Sequence, residues 1–216
     1  MIKTQRALLV MAKRPFPGHT KTRLCPPLSF AEAAELYECF LRDVLDTVRT
    51  VPGVTPFIAY APIQAANYFR QLAPDFERIP QQGDTLGRRL DFVLRQARTM
   101  GFHQAAAINS DSPTLPAAYL SQAFAELDKP VVDVVLGPCE DGGYYLIGWK
   151  RPYPRLVLEV TMSTPHVLRD TLALAAAEKA RAALLPPWYD VDDTVDLERL
   201  KASANLGRHT RAFLQP

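Results

Sequence analysis

Short apolar runs alternate along the chain with longer stretches in which apolar residues recur every three or four positions. The first run, residues 7–12, ends abruptly at a loop containing proline and glycine, which predicts a buried strand. Residues 30–50 follow a capping box, Ser29 with Glu32, and predict a long amphipathic helix. Further strands are predicted at 55–61, 76–80, 104–109 and 131–137, and in a run beginning near 144. This alternation predicts a three-layer α/β/α sandwich around a mostly parallel mixed sheet.

Helix and strand boundaries are predicted from capping and turn residues. Asp84 is the expected N-cap of the helix after the third strand. Alanine and leucine residues after Ser163 predict a helix that reaches about Ala183, and a late strand is expected near Trp188. An Asp-Gly turn before residue 144 is typical of a hairpin, so one member of the sheet is expected to be antiparallel.

Composition and charge narrow the functional classes. The 216 residues are 48% hydrophobic and 22% charged, which is typical of one globular domain, here expected to span residues 1–216. The 25 basic residues are nearly balanced by 23 acidic ones, so no nucleic-acid partner is expected. Three cysteines without a C-x-x-C pair argue against a zinc site or a disulfide framework.

The expected location follows from the absence of membrane signals in the sequence. No apolar run is long enough for a membrane span, and the amino terminus lacks the features of a signal peptide. We therefore expect a cytoplasmic protein without a membrane span. The sequence leaves its oligomeric state open.

The loop after the first strand carries a cluster of cations. They are Lys13, Arg14, Lys21 and Arg23. Ligands of open α/β sheets bind outside the carboxyl ends of the strands, so this loop is expected to face an anion, with phosphate the first candidate. Any one of these cations taken alone is typical of a solvated loop. The loop is not a Walker P-loop, because Thr20 rather than glycine precedes Lys21.

Asp111 follows the predicted strand 104–109 and is therefore expected at the same edge of the sheet as the basic loop. A carboxylate at this position suits a hard cation that bridges phosphate groups. An Asp in a strand-to-helix turn is also typical of a simple cap. Both interpretations fit the turn D-S-P-T-L that contains it.

Two glycine-bearing loops are further candidates for substrate contacts. Residues 81–87, Q-Q-G-D-T-L-G, precede a helix; glycine there allows the backbone to approach a planar base, and the same residues also fit a plain helix start. Residues 141–145, D-G-G-Y-Y, combine an acidic turn with two glycines and two tyrosines. They are predicted to form either a narrow wall beside a second substrate or a simple hairpin turn.

These segments together resemble a bacterial family of GT-A-type transferases of unknown function (DUF2064-like). The resemblance lies in the strings K-R-P-F-P-G-H-T-K-T-R-L, Q-x-G-x-x-L-G, D-S-P-x-L, G-P-x-x-D-G-G-Y-Y-L-I-G and W-x-D-V-D. The family is related to nucleotidyltransferases that make guanylylated and cytidylylated metabolites. The resemblance covers about residues 7–200 and implies the GT-A, or nucleotide-diphospho-sugar transferase, fold. Relatives usually have Trp at the position of Met162 and T-P-E at the position of 193–195.

The resemblance implies a role for each segment. The implied catalytic residues are Lys21, Arg23 and Asp111, and the implied ligands of Mg²⁺ or Mn²⁺ are Asp111 and Asp192. The implied nucleotide-binding residues are Ala12, Lys13, Gly18, Lys21, Arg23, Gln82, Gly83 and Gly87. The acceptor or sugar side is assigned to Asp141, Gly142, Gly143 and Tyr144.

The expected function is that of a Mg²⁺-dependent transferase with a nucleotide sugar or nucleoside triphosphate as donor and an unidentified small molecule as acceptor. Glycosyl transfer is placed first because relatives of this kind carry that label by fold analogy. Nucleotidyl transfer with release of pyrophosphate is the alternative, since the basic loop carries more cations than a diphosphate requires. A non-catalytic nucleotide-binding regulatory module is an alternative from another class. The base, the sugar and the acceptor are left open.

Overall fold

A mixed β-sheet forms the middle layer of the molecule. The computed structural model describes residues 5–215. The strands in this part of the chain are β1 Arg6–Lys13, β2 Thr55–Ala61, β3 Glu77–Pro80, β4 Gln104–Ile108, β5 Val134–Pro138, β6 Tyr144–Trp149 and β7 Ala182–Leu184. Their order in the sheet is β3-β2-β1-β4-β6-β5-β7. Strand β6 is antiparallel to β4 and β5, and the other neighbouring pairs are parallel, which confirms the predicted mixed sheet.

Helices cover both faces of this sheet. In residues 5–215 they are α1 Phe30–Arg49, α2 Ala66–Leu72, α3 Leu86–Thr99, α4 Ala117–Asp128, α5 Arg155–Leu158, α6 Val167–Ala177, α7 Thr194–Lys201 and α8 Arg208–Leu214. Helices α1, α2 and α4 pack on one face, and α3, α5 and α6 pack on the other, as the sandwich prediction requires. Helices α7 and α8 pack with α1 in a separate apolar cluster.

Strand β1 lies in the middle of the sheet and is buried on both faces. Leu8 and Val10 belong to the core shared with α1, whereas Ala7 and Leu9 belong to the core shared with α3. A strand covered on both sides needs apolar residues on both sides. This explains why residues 7–12 form a continuous apolar run without polar alternation.

Helix α1 begins where its capping box predicts. The Ser29 Oγ accepts the Glu32 N–H at 3.2 Å, and a Glu32 carboxylate oxygen accepts the Ser29 N–H at 2.8 Å. Two backbone N–H groups at the start of the helix are therefore satisfied by side-chain oxygens. Among the helices of residues 5–215, none is long and apolar enough to cross a membrane.

The N-cap predicted for α3 is wrong by one residue. Thr85, not Asp84, occupies that position, because the Thr85 Oγ accepts the Arg88 N–H at 3.2 Å. Asp84 instead forms an exposed ion pair with Arg88 at 3.4 Å. Both residue types are good N-caps, so local sequence alone does not distinguish the two registers.

The helix expected to reach Ala183 ends at Ala177, which corrects that prediction. Lys179 adopts a left-handed conformation with φ 57°, and the Ala180 N–H then donates to the Ala175 carbonyl at 2.8 Å. This is a common way to terminate a helix. The chain continues as β7, which pairs in parallel with β5 at the sheet edge.

The late strand expected near Trp188 is also corrected. Trp188 forms only an isolated parallel bridge with Cys139. Its N–H donates to the Pro138 carbonyl at 2.9 Å, and its carbonyl accepts the Glu140 N–H at 3.0 Å. These bonds attach the chain before α7 to the β5–β6 turn. Helix α8, which follows α7, was not predicted from the sequence.

The strand order places a topological switch point between β1 and β4. From β1 the chain builds outward to β2 and β3, and it then returns to place β4 on the opposite side of β1. The carboxyl ends of β1, β4 and β5 lie at the same edge, because β5 is separated from β4 by one antiparallel strand. Open α/β sheets bind ligands at such a point.

Candidate functional site

A cavity of about 440 Å³ opens at this switch point. Its walls include the end of β1, the basic loop of residues 13–24, the end of β4, and Asp192 from residues 188–193, which we call the closing segment. The sequence-predicted residues that line it are Ala12, Lys13, Lys21, Arg23, Asp111 and Asp192. The fold thus brings together predicted site residues that are up to 180 positions apart in the chain.

The Lys21 ammonium is held between two carboxylates. It forms ion pairs with Asp111 and, at 2.7 Å from Oδ1, with Asp192. The Lys21 side chain is 7% exposed, whereas those of Asp111 and Asp192 are 35% and 44% exposed, so both acids remain open to solvent. Burial by itself would lower the pKa of Lys21, but the two carboxylates outweigh it and hold that pKa well above its ordinary value. Lys21 is therefore a permanent cation at neutral pH.

A backbone hydrogen bond holds the closing segment, with Asp192, beside Asp111. The Val191 N–H donates to the Asp111 carbonyl at 2.9 Å. This bond brings Asp190 and Asp192, the residues before and after Val191, beside the turn that contains Asp111. The spacing D-V-D therefore places two carboxylates at the site while the residue between them is buried.

Arg23 contacts the same closing segment. Its guanidinium lies 3.3 Å from the Asp193 carboxylate, and its side chain is 69% exposed. An ion pair this exposed contributes little to stability, so Arg23 is available to a ligand. Asp193 is also the N-cap of α7, where it forms a capping box with Asp196.

Tyr37 joins the ends of β1 and β4 beneath the site. Its hydroxyl accepts the Lys13 N–H at 3.3 Å and contacts the Ser110 Oγ at 2.7 Å, and that Oγ donates to the Met11 carbonyl at 2.9 Å. Burial, together with the charge of Asp111, raises the pKa of Tyr37 to about 12. Tyr37 was not predicted as a site residue, because its position on α1 carries no sign of contact with the loops.

Gln81, and not Gln82, reaches into the cavity. The Gln81 Nε2 donates to the carbonyls of Ala12 and Ala59 at 3.1 and 2.7 Å. Both amide protons are thereby used, and the orientation of the side chain is fixed with its Oε1 left as an acceptor. The motif Q-x-G-x-x-L-G carried the signal for this residue, since Gln81 is its first position.

A second cavity of about 420 Å³ adjoins the first. The residues that line both are Arg23, Leu86, Asn109, Asp111, Ser163 and Asp192. Asp141, Gly143 and Tyr144, which sequence analysis assigned to the acceptor side, line the second cavity only. Met162 lies there as well, with its Sδ 3.8 Å from the Tyr144 hydroxyl. The two carboxylates around Lys21 therefore stand at the boundary between two adjoining spaces.

Asp190 is a further acid of the second cavity. Its Oδ1 accepts hydrogen bonds from Asn109, Ser112 and the Cys139 thiol at 2.7, 2.5 and 3.3 Å. Burial and the nearby charge of Asp111 raise the pKa of Asp190, and they outweigh the hydrogen bonds, which lower it. The pKa of Asp190 therefore lies above its ordinary value. Three donors on one oxygen fix the position of this side chain, which the sequence marked only as part of the closing motif.

The predicted glycines occupy different kinds of position. A Cβ at Gly87 would lie 1.9 Å from the Val157 carbonyl oxygen, and one at Gly142 would lie 2.1 Å from that of Pro165. Both glycines therefore permit close packing between segments. Gly18, Gly83 and also Gly142 have positive φ, 77°, 123° and 89°, which favours glycine in their loops.

The donor set of the site fits a hard divalent cation. Asp111 and Asp192 converge on one point, and the Lys21 ammonium already acts there as a monovalent cation. Oxygen ligands from carboxylates are those that Mg²⁺ and Mn²⁺ prefer. The residues present therefore fit the expected ion.

Another acidic group lies between α1 and α8. Asp43, Asp46 and His209 offer ligand atoms within 4.8 Å of one another. The two Asp43 oxygens already accept the N–H groups of His209 and Thr210 at 3.0 and 2.8 Å. Asp43 thus caps the start of α8, and this group is explained by helix packing.

Comparison with known proteins identifies the family. Residues 44–164 match the family model described as uncharacterised proteins conserved in bacteria (DUF2064). The chain belongs to this family. The matched region contains the Q-x-G-x-x-L-G, D-S-P-x-L and D-G-G-Y-Y segments, and it confirms the resemblance drawn from them. The sequence matches no curated protein.

Solved structures with the same fold include proteins of several activities. A protein from Desulfovibrio desulfuricans G20, provisionally described as a nucleotide-diphospho-sugar transferase, has a TM-score of 0.91 and 28% identity over 98% of this chain and 94% of that one. CMP:2-keto-3-deoxy-manno-octonic acid synthetase in complex with CTP has a TM-score of 0.58 and 12% identity over 90% and 95% of the two chains. A Mycobacterium tuberculosis H37Rv protein in complex with manganese has a TM-score of 0.56 and 16% identity over 91% and 97%. These matches confirm the expected nucleotide-diphospho-sugar transferase fold.

Proposed function

We propose that this protein is a divalent-metal-dependent transferase that takes a nucleotide donor and a small-molecule acceptor, acting as a single domain. The observation that carries the proposal is the Lys21 ammonium between Asp111 and Asp192 at the boundary of two adjoining cavities. Donor and acceptor require separate spaces that meet at the reacting atoms. A cation site at that boundary stands where charge develops during transfer.

The first cavity suits the donor. Its walls carry the cations Lys13, Lys21, Arg23 and Arg89. Such a cluster neutralises the phosphate groups of a nucleotide. The fixed Gln81 side chain offers an acceptor for the base, and Leu86, which lines the same cavity, offers an apolar surface.

Asp111 and Asp192 are the proposed metal ligands. A divalent ion bound there neutralises negative charge on the donor phosphates. Lys21 and Arg23 bind the same phosphates, while Asp141, Gly143 and Tyr144 form one wall of the acceptor space. Such a site works mainly by positioning and by charge neutralisation.

Glycosyl transfer is the favoured reaction. Its support is the high structural similarity to the Desulfovibrio desulfuricans protein, whose provisional description is that of a nucleotide-diphospho-sugar transferase. The second cavity, at about 420 Å³, is large enough to hold a sugar with part of its acceptor. In this reaction a nucleophilic group of the acceptor bonds to the sugar, the bond between sugar and phosphate breaks, and a nucleoside diphosphate leaves.

Nucleotidyl transfer is the second candidate. It is favoured by the number of cations around the first cavity, since a triphosphate carries more charge than a diphosphate. It is also favoured by the fold shared with the synthetase that was solved in complex with CTP. In that reaction the acceptor attacks the α-phosphorus and pyrophosphate leaves.

Product analysis by mass spectrometry tests the proposal. The protein is incubated with Mg²⁺, pooled nucleoside triphosphates, pooled nucleotide sugars and a metabolite extract. A nucleoside diphosphate with a glycosylated metabolite is the expected result. Pyrophosphate with a nucleotidylated metabolite would replace glycosyl by nucleotidyl transfer. Nucleotide binding without any product from either pool would instead support the regulatory module.

A further inference from the structure

Lys21 stands where the divalent ion of the proposed function has to bind. Its ammonium contacts a carboxylate oxygen of Asp111 and lies 2.7 Å from one of Asp192. A Mg²⁺ ion binds its oxygen ligands at about 2.1 Å, so an ion shared by these two carboxylates needs the space that the ammonium fills. The two cations are therefore alternatives at one position.

We infer that Lys21 is a resident counter-ion that keeps a divalent cation away from Asp111 and Asp192 until the phosphate groups of a donor withdraw its ammonium. The inference rests on the proposed function, which supplies the metal and the phosphate ligand. To that function the inference adds an order of binding. Metal alone binds poorly, and donor and metal enter the site together.

The charged side chains of the site are paired with one another. Lys21 pairs with Asp192, and Arg23 pairs with the adjacent Asp193 at 3.3 Å. Both loop cations assigned to phosphate are thus engaged by the closing segment. A phosphate ligand has to compete for the same two side chains, and its arrival frees the carboxylates.

The backbone conformation of Lys21 supports the inference that its side chain has two arrangements. It has φ 49° and ψ 38°, a left-handed conformation that is unfavourable for a side chain with a Cβ. Strained residues of this kind are held by their surroundings and occur at sites that switch. The long side chain also lines the donor cavity, so a change of rotamer carries its ammonium toward a bound phosphate.

Exclusion of the metal makes donor and metal binding mutually dependent. If a donor increases the affinity for the metal, the metal must increase the affinity for the donor by the same factor. Removing the ammonium from Lys21 removes this part of the coupling. Loss of the Lys21 ammonium is therefore expected to increase the affinity for the metal, although Lys21 is assigned to the reaction.

Binding of Mn²⁺ alone, followed by electron paramagnetic resonance in the absence of nucleotide, tests the inference. Lys21→Met is expected to bind Mn²⁺ at least about tenfold more tightly than the unchanged protein, within the usual range of coupling between sites. Arg23→Met is the matched control. It also removes one positive charge from the loop, but its guanidinium contacts Asp193 and not the two carboxylates, so its Mn²⁺ affinity should stay near the original.

The double variant Lys21→Met with Asp111→Asn tests whether the gain in Mn²⁺ affinity arises at Asp111. It should lose the tight binding that Lys21→Met acquires. Circular dichroism confirms the fold of each variant, and Lys21→Gln replaces Lys21→Met if the latter does not fold.

Three outcomes overturn the inference. Equal Mn²⁺ affinity of Lys21→Met and the unchanged protein, with weaker binding by Asp111→Asn, would remove the exclusion and leave the proposed metal site intact. An equal gain in Arg23→Met would assign the effect to net charge. If neither Lys21→Met nor Lys21→Gln bound Mn²⁺, the metal role in the proposed function would fail together with the inference.

Discussion

At the scale of single residues, the site depends on a few side chains whose positions are fixed by several partners. Asp190 accepts three hydrogen bonds on one oxygen, and the Gln81 amide donates to two carbonyls. Lys21 is buried between two acids that are themselves open to the cavities. Fixed side chains around an open space are what positioning of two substrates requires.

Asp111→Asn is expected to abolish turnover while the fold is kept. Turnover should fall by about 100-fold or more, since loss of even a partner of a metal ligand costs about 10- to 100-fold. The Lys21 ammonium keeps its contact with Asp192, and the Asp111 side chain is partly exposed, so the free energy of unfolding should fall by less than about 3 kcal/mol, the lower end of the cost of breaking a fully buried ion pair. Turnover assays and thermal melts measure the two effects.

The matched control for this change is Asp75→Asn. Asp75 is an exposed partner of Arg49 at 2.8 Å, in an ion pair formed with α1 outside the site. It should leave turnover unchanged. A melting temperature lowered by Asp111→Asn as much as by truncation of a core residue would make Asp111 a structural residue.

Gly87→Ala is expected to destabilise the protein although alanine favours helices. The added Cβ would lie 1.9 Å from the Val157 carbonyl oxygen, which is backbone and cannot rotate away. Overpacking of this kind costs about 1–3 kcal/mol. Gly143→Ala is the control, because its Cβ would meet the Asp141 side chain at 3.1 Å, and that side chain can move. Equal unfolding free energies for the two variants would contradict the packing role of Gly87.

At the scale of secondary structure, α1 has two apolar faces with different tasks. Leu41 and Leu45 pack toward the sheet, whereas Leu36 and Phe40 pack toward α7 and the closing segment. Tyr37 lies on the second face and carries the hydroxyl that joins β1 to β4. The helix therefore links the main core to the segment that supplies Asp190 and Asp192.

Phe40→Ala and Leu36→Ala are expected to lower stability while the chemical groups of the site remain. Both side chains are fully buried, and such truncations cost about 2–5 kcal/mol. Ile63→Ala serves as the control, because Ile63 is 58% exposed and should change the free energy of unfolding by about 0.5 kcal/mol or less. Denaturant titration measures all three. Similar midpoints for all three variants would mean that the second face of α1 does not support the fold.

At the scale of the whole molecule, the strand order decides where the site forms. The chain turns back at the boundary between β1 and β4, so the loops after these strands diverge and leave a cavity between them. The β5–β6 turn lies at the same edge and supplies the wall of the second cavity. Three loops that are distant in sequence thus surround one pair of carboxylates.

Metal and nucleotide are expected to stabilise the whole chain cooperatively. A ligand at 100 times its Kd adds about 2.7 kcal/mol, and each kcal/mol raises the Tm of a chain of this size by about 2–4 °C. Thermal shifts with each nucleotide should therefore be larger with Mg²⁺ than with a chelator. Magnesium without nucleotide is the control and should give little shift. Shifts that are the same with and without chelation would contradict the metal role of Asp111.

The sequence by itself determined the class of fold and the segments that carry the chemistry. The apolar run of β1, the capping box at Ser29 and the glycine turn before β6 are local signals, because neighbouring residues fix strand, helix and turn. Lys21, Asp111 and Asp192 were identified by their loops and by the resemblance to a family. Their places beside one cavity agree with that selection, and their roles stay proposals.

Only the tertiary structure decided which side chains meet. Whether Gln81 or Gln82 enters the cavity depends on how the chain leaves β3, because the Gln81 side chain reaches carbonyls of β1 and β2. Tyr37 reaches the site because of the way α1 crosses the sheet. Likewise, β7 forms because β5 offers a free edge to a chain whose helix has ended. These contacts join residues far apart in the chain, and their energies depend on strand order and on packing across layers. Neither strand order nor packing across layers can be determined from a pattern of neighbouring residues.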